Sequence, residues 1–300
     1  VDATMRTSDP HIYAVGDAVE VVDFITGKPT LIPLAGPANR QGRIAADNAL
    51  GRRSTYKGTQ GTSILKIFDL TAASTGANQK TLAKNGLPFI AGTTISNSHA
   101  GYYPGAESMS IKLLFKPGDG RILGAQIVGG GGVDKRIDVL ATALRAGLTV
   151  FDLEELELAY APPFSSAKDP VNIAGNVAAN ILKGDLEQVT WDRLKDTDWE
   201  GSVLVDVRNA QELEERGRLE GAVHIPLNQL RDKLGDLDHQ KNLIFYCAVG
   251  YRGYLAHRIA LQEGLKSLNL AGGFETYSGS LGRPEVPASG PGAIVKPGIS

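Results

Sequence analysis

Cysteine is almost absent from this 300-residue chain, where Cys247 stands alone. A single thiol excludes an intrachain disulfide and any cysteine-built zinc or iron–sulfur centre. It suits a reducing, cytoplasmic setting. The 5 histidines are scattered without metal-ligand spacing, so no metal site is expected. No apolar run approaches the ~18 residues that span a bilayer, and no membrane partner is expected. A basic excess is missing as well: 31 Lys and Arg stand against 33 Asp and Glu, a net charge of -2. That balance argues against a general nucleic-acid binder. No Gly-x-Gly-x-x-Gly follows an opening strand, so an adenine-dinucleotide fingerprint is missing. The glycine run at residues 129–132 lacks a following Gly-Lys-Ser/Thr and reads as a strand-to-helix turn, not a phosphate loop.

What remains is ordinary globular material. Hydrophobic residues make up 42% and charged residues 21% of the chain, enough to bury real cores in two or three domains. Residues 1–55 read as a short strand at 11–15 followed by a helix at 37–50, with Pro37 in its first turn and Gly51 past its end. Residues 56–185 read as one α+β domain. Its strands are expected at 62–70, 89–96, 108–116 and 122–128, and its helices at 133–146 and 170–182. Ile111, Leu113 and Phe115 alternate, Pro117 to Gly120 signal a hairpin, and Val133, Ile137, Leu140, Ala141 and Leu144 make a helical stripe. Residues 186–200 read as a polar linker. Residues 201–279 change grammar: short apolar strands at 203–207, 243–246 and 267–270, with a helix at 252–263, point to a parallel α/β domain. Residues 280–300, rich in Gly and Pro, read as a flexible tail.

The sharpest motif is Cys247-Ala248-Val249-Gly250-Tyr251-Arg252-Gly253-Tyr254. An apolar strand runs into Cys247 and a helix begins about five residues on. Backbone N–H groups can curl around the sulfur, and the helix N-terminus favours its thiolate. Gly250 permits the positive φ of such a loop. Arg252 can close the loop or meet an anionic donor. The bland alternative is a buried structural cysteine before a turn.

Asp206-Val207-Arg208, Glu212, Gly221-Ala222-Val223-His224-Ile225-Pro226, the cysteine loop and Gly272-Gly273-Phe274 together resemble a rhodanese domain. The resemblance implies sulfane-sulfur transfer. Cys247 and Arg252 would be catalytic, with Ala248, Val249, Gly250, Tyr251 and Gly253 forming the sulfur-binding loop. Small-molecule sulfur donors and thiol acceptors are the implied partners. Related cysteine phosphatases and arsenate reductases carry a loop one residue longer than the four residues between Cys247 and Arg252, so the narrower loop favours sulfur. Arg208 is expected to pair with Glu212. The family often has a histidine where Arg218 stands.

Two further blocks, residues 7–17 ending in Gly16-Asp17 and residues 32–42, resemble the C-terminal part of the flavin domain of pyridine nucleotide–disulfide oxidoreductases. That resemblance places Gly16 and Asp17 against the ribityl–pyrophosphate of FAD and Leu34 and Ala35 at the pyrimidine edge of its ring. Residues 99–106, 132–139 and 160–170 resemble the dimerisation domain of the same family, in the branch of coenzyme A-disulfide reductases and rhodanese-fused persulfide reductases. A homodimer through residues 56–185 follows from the resemblance. So do supporting catalytic roles for Tyr102 and Tyr160 at the partner's substrate thiol, with Tyr103 the weaker choice. The plain reading of these tyrosines is interface packing.

The expected fold is therefore multidomain, α/β and α+β: a flavin-domain remnant, an α+β dimerisation domain and an α/β rhodanese domain with a parallel sheet. The chain opens at Val1 in patterned sequence, which suggests the C-terminal part of a longer product. The reductase cysteine of the family has no counterpart here. The parent would use FAD, NAD(P)H and coenzyme A, and this piece is expected to hold FAD weakly or not at all. A non-catalytic dimerisation and sulfur-carrier module is the alternative.

Overall fold

Left-handed glycines and proline-containing turns mark where many of the elements stop. The structure, a computed structural model, describes residues 1–280 and the backbone of Ile294–Val295. The tail expected over residues 280–300 otherwise lies outside the described residues. The chain divides into two compact units, one of residues 1–91 and 96–175, the other of residues 92–95 and those from 176 on.

The first unit begins with irregular chain. Residues 11–15 do not form the expected strand: they make a single bridge, Arg6 to Tyr13, because no neighbouring strand offers them a ladder. A 3-10 turn, Gly16–Ala18, follows. Strands β1 (Val21–Val22) and β2 (Pro29–Thr30) pair antiparallel. Helix α1 (Ala35–Ala49) starts two residues before Pro37, which still lies in the first turn, and ends before Gly51 at φ +80°. Only Pro37 and Gln41 of α1 are buried.

An antiparallel sheet of order β3-β4-β7-β6-β5 follows, built from β3 (Ser63–Ile67), β4 (Leu70–Gly76), β5 (Ile90–Asn97), β6 (Ser108–Phe115) and β7 (Ile122–Gly129). Residues 62–70, expected as one strand, turn back so that Ile67 faces Leu70. Phe68 takes the left-handed backbone at φ +50°. An apolar residue there hides the turn from a reading based on Gly, Pro and Asn. Helix α2 (Gln79–Lys84) is capped by the Asn78 side chain, which accepts the Thr81 N–H at 2.9 Å. The hairpin expected at Pro117 to Gly120 joins β6 to β7, and Ile111, Leu113 and Phe115 are buried. Helix α3 (Val133–Ala146) lays its stripe of Val133, Ile137, Leu140, Ala141 and Leu144 on β4 and β7 and stops at Gly147, φ +74°. Helix α4 (Val150–Glu155) follows, and α5 (Pro170–Lys183) begins in the first unit and continues past residue 175 into the second.

The second unit holds a parallel sheet of order β11-β9-β12-β13-β8. Its strands are β8 (Gln188–Val189), β9 (Ser202–Asp206), β11 (Val223–His224), β12 (Asn242–Tyr246) and β13 (Ser267–Leu270); a short β10 (Arg218–Leu219) pairs separately with β14 (Ile294–Val295). Around it stand α6 (Ala210–Arg216), α7 (Leu230–Lys233), α8 (Tyr251–Gln262) and α9 (Gly273–Gly279). Residues 186–200, expected as a linker, supply the edge strand β8 and bury Leu186 and Leu194. Val189, Trp191 and Trp199 also pack on the core, and the uneven spacing of these five residues leaves no readable period. Leu204, Ile244 and Tyr246 pack on one face, and Val205, Leu243 and Phe245 on the other, as a sheet covered on both sides requires.

Helix α8 also buries His257 completely. Its Nε2 accepts the Glu187 N–H at 3.1 Å, which leaves the proton on Nδ1, 2.8 Å from Ser267 Oγ. Burial, aided by the charge of Arg258, pushes the imidazole down from 6.5 to about 4. The unfolded chain then binds a proton that the folded one refuses. This contribution to stability is full above pH 6.5 and is lost as pH falls toward 4. Urea midpoints measured from pH 7 to pH 4 should fall, and fall less steeply in His257→Gln. Parallel slopes in the two proteins would clear His257 of the effect.

Candidate functional site

Strand β12 delivers Cys247 to a buried position, 1% exposed, at its C-terminal end. The chain turns through Ala248 and Val249 and enters α8 from Gly250, whose φ is +99°. The Gly250 N–H donates to Cys247 Sγ at 3.2 Å. The loop carbonyls are taken up elsewhere: Cys247 O accepts from Phe274 N–H at 2.8 Å and Ala248 O from Glu275 N–H at 2.9 Å. The start of α9 thus anchors the carbonyl side of the loop. Gly273, at φ +59°, makes the approach possible, since a Cβ there would lie 2.3 Å from Cys247 O. Gly253 has the same function on α8, where a Cβ would sit 2.3 Å from Asn269 Oδ1. Tyr251 stands exposed at the rim.

Arg252 does not reach out for a ligand. Its Nη1 and Nη2 each donate to the Glu212 carboxylate at 2.6 Å, a bidentate pair with both side chains about a quarter exposed. The pair corrects the expectation that Arg208 would meet Glu212. Arg208 binds Asp206 instead, through Nε at 3.0 Å and Nη2 at 2.7 Å, because Asp206 ends β9 two residues earlier in the same buried turn. Arg208 also donates to Gly217 O at 2.8 Å and lies 4.3 Å from the centroid of Phe274. Glu212 holds its carboxyl below the usual range chiefly through Arg252, and Arg252 is raised chiefly by Glu212, with Cys247 adding to the rise. Glu212 was legible as part of a motif, but its partner, 40 residues away, was not.

In the first unit the structure brings Tyr102 and Tyr160 together. Their hydroxyls lie 3.3 Å apart, and the rings are 78% and 48% exposed. Tyr103 turns aside, edge-on to His99. The loops that carry the pair are tied by Arg136, which is 1% exposed. Its guanidinium donates to Ser98 O at 2.8 Å, Ser165 Oγ at 3.2 Å and Asp169 Oδ2 at 2.9 Å. Burial works to raise Asp169, but the bonds from Arg136, Val171 N–H and Ser165 outweigh it and hold the carboxyl below its usual value. The signal for Arg136 lay in its spacing, three residues from Val133 and four from Leu140, on the buried stripe.

Gly16 and Asp17 lie against the N-terminal half of α1: the Gly16 N–H donates to Gln41 Oε1 at 2.8 Å, and Asp17 is exposed. Leu34 offers no side-chain cap to α1, which leaves its first N–H groups as uncapped donors, and Leu34, Ala35 and Gly36 line an open cleft of about 370 Å³ together with Asp134 and Asp138. These donors and the left-handed Gly16 fit an anionic or carbonyl-bearing ring edge and a close-lying diphosphate. Among the described residues no group of His, Cys, Asp and Glu could hold a metal ion, and no helix is long and apolar enough to cross a membrane.

Residues 62–170 match the family described as "Pyridine nucleotide-disulphide oxidoreductase, dimerisation domain", and residues 188–280 match "Rhodanese-like domain". A coenzyme A disulfide reductase of Staphylococcus haemolyticus is 38% identical over 182 residues, 60% of this chain and 41% of the relative. The crystal structure of reduced Bacillus anthracis CoADR-RHD is 50% identical with a TM-score of 0.89, covering 93% of this chain and 50% of that one. An NAD-dependent persulfide reductase from A. fulgidus is 41% identical with a TM-score of 0.84, covering 92% and 50%. The chain thus spans about half the length of these solved relatives.

Two outcomes follow from the geometry. Tyr160 is held above the ordinary phenol value first by its hydrogen bond to Tyr102. In Tyr102→Phe its ionisation, followed by ultraviolet absorbance, should move to lower pH; an unmoved titration would mean that the bond is not formed in solution. Gly273→Ala forces a Cβ against the Cys247 carbonyl and should cost roughly 2 kcal/mol or more in denaturant unfolding. Gly279→Ala, with nothing within 4 Å, should change stability by less than about 1 kcal/mol.

Proposed function

We propose, from a chain that joins a pyridine nucleotide-disulphide oxidoreductase dimerisation domain to a rhodanese-like domain, that its own activity is sulfane-sulfur transfer through Cys247. The observation that carries this reading is the loop itself: a lone cysteine at a strand end, a backbone N–H on its sulfur, and an arginine at the start of the following helix. The Cys247 thiolate attacks the outer sulfur of a persulfide or polysulfide. The S–S bond breaks, the former carrier leaves as a thiolate with the bonding pair, and Cys247 keeps the sulfur as a persulfide. Attack by an acceptor thiolate on the outer sulfur of that persulfide returns the Cys247 thiolate. Four residues separate Cys247 from Arg252, one fewer than a phosphatase cradle uses, which supports sulfur over phosphate.

The parent protein is read as a reductase of coenzyme A disulfides, persulfides or polysulfides, dependent on FAD and NAD(P)H. The relatives' names support that reading. FAD would supply electrons for cleaving sulfur–sulfur bonds when bound. In this chain Gly16 and Asp17 would hold its ribityl–pyrophosphate, and the N–H groups at the start of α1, beside Leu34 and Ala35, would meet the pyrimidine edge. Tyr102 and Tyr160 would hold a substrate thiol, one phenol donating to the sulfur while the other orients it. A second copy would pair through residues 56–185. The exposed apolar hairpin of Ile64, Leu65, Ile67, Phe68 and Leu70 supports such a partner.

The burial of Cys247 favours one further reading, a sulfur carrier without turnover. A single experiment separates the two. After polysulfide treatment and removal of excess reagent, mass spectrometry should show one added sulfur on Cys247, which leaves when coenzyme A is supplied as acceptor. Cys247→Ser should lose both signals while keeping its unfolding midpoint. An adduct that no thiol removes would leave only the carrier, and absence of any adduct would defeat both readings.

A further inference from the structure

The cation of the sulfur loop is already neutralised. Arg252 is the residue at the loop's end, and the fork formed by its two terminal nitrogens faces the Glu212 carboxylate, one bond of 2.6 Å from each. The arginines beside the loop are matched in the same way. Arg208, stacked on Phe274, is closed by Asp206, and Arg216 pairs with Glu275, whose N–H holds the Ala248 carbonyl. A site that welcomed a compact dianion would leave a guanidinium fork open to it, since that fork is the group that matches a doubly charged oxyanion. Here the fork is closed by a carboxylate that also accepts the Asn209 N–H at 3.0 Å and is therefore fixed to the start of α6. With Cys247 as thiolate, the charges of Cys247, Arg252 and Glu212 sum to one negative.

We propose that Glu212, by closing the Arg252 fork, sets the donor preference of Cys247, favouring singly charged persulfides over the dianion thiosulfate. The inference rests on the sulfur-transfer reading and adds the donor class. Both donors undergo balanced steps. With thiosulfate, the thiolate attacks the sulfane sulfur, the S–S bond breaks, sulfite leaves with the electron pair and Cys247 becomes a persulfide. With an alkyl persulfide, the leaving group is the alkyl thiolate. The steps differ in the charge brought beside Glu212, by one unit. Glu212 is a positioning residue: it acts on the donor through Arg252 and through its own charge.

The test compares thiosulfate with 2-hydroxyethyl persulfide as donors to the full chain, reading persulfide formation on Cys247 by mass in single turnover. In the unaltered protein, added salt should speed the thiosulfate reaction more than the persulfide reaction, because screening relieves repulsion of the dianion. Glu212→Gln keeps an oxygen for Asn209 and Arg252 but removes the charge. It should raise the thiosulfate-to-persulfide ratio of second-order rate constants by about 5–20-fold, from one unit charge at close range in a partly solvated site. Glu212→Asp, which retains the charge, should keep the ratio low. A ratio unmoved in Glu212→Gln, or a thiosulfate reaction slowed by salt in the unaltered protein, would overturn the inference while leaving sulfur transfer standing. Failure of both donors in every protein would instead defeat the sulfur-transfer reading. The salt response needs no variant and decides the matter if Glu212→Gln does not fold.

Discussion

An arginine withdrawn from water leaves five N–H donors to be met, and the working loops of this chain are held by that requirement. Arg136 meets Ser98, Ser165 and Asp169, and so fixes the two loops that present Tyr102 and Tyr160. Arg208 meets Asp206 and Gly217 through Nε and Nη2, with Nη1 left unmet, and fixes the turn after β9. Arg252 meets Glu212 and ties the start of α8 to the start of α6. A planar fork locates its acceptors in direction as well as distance, so one side chain can set the position of two segments. Removing one member of a buried pair costs ~3–5 kcal/mol, because the other charge stays behind without a partner.

Burial decides what each group is for. Arg136 and Arg208 are wholly enclosed, and their part is to locate backbone. Arg252 is a quarter exposed and close enough to Cys247 to feel its charge, with its terminal fork turned to Glu212. The tyrosines divide in the same way. Tyr246 is buried, accepts the Leu219 N–H, and is pushed up first by burial and then by the charge of Asp206; it is part of the core. Tyr102 and Tyr160 stand in solvent with hydroxyls in contact, an arrangement that packing alone does not call for.

Much of the fold was legible. The stripe of α3, the alternation of β6, the turn at residues 117–120 and the glycine after α3 all obey short-range rules and all stand where those rules put them. The strand ending in Cys247 and the helix behind it were read from the same signals. What was missed had no local signature. Phe68 reverses the chain with no Gly, Pro or Asn to announce it. Residues 186–200 enter the sheet edge through apolar positions too unevenly spaced to show a period. Residues 11–15 had a strand's composition but meet residues 5–7 only through the single bridge of Arg6 and Tyr13, too short to make a ladder.

By itself, then, the sequence determined two sheet grammars, their order along the chain, a lone cysteine at a strand end and a set of arginines and tyrosines in recognisable motifs. Propensity and periodicity act over a few residues, so they can be read from a few residues. The tertiary structure alone decided which carboxylate closes which arginine, and that two phenols 58 residues apart share a hydrogen bond. Such pairings depend on strand register and on left-handed glycines such as Gly250 and Gly273, which let separate loops approach closely. A hydrogen bond formed across that distance imposes no period on the residues between.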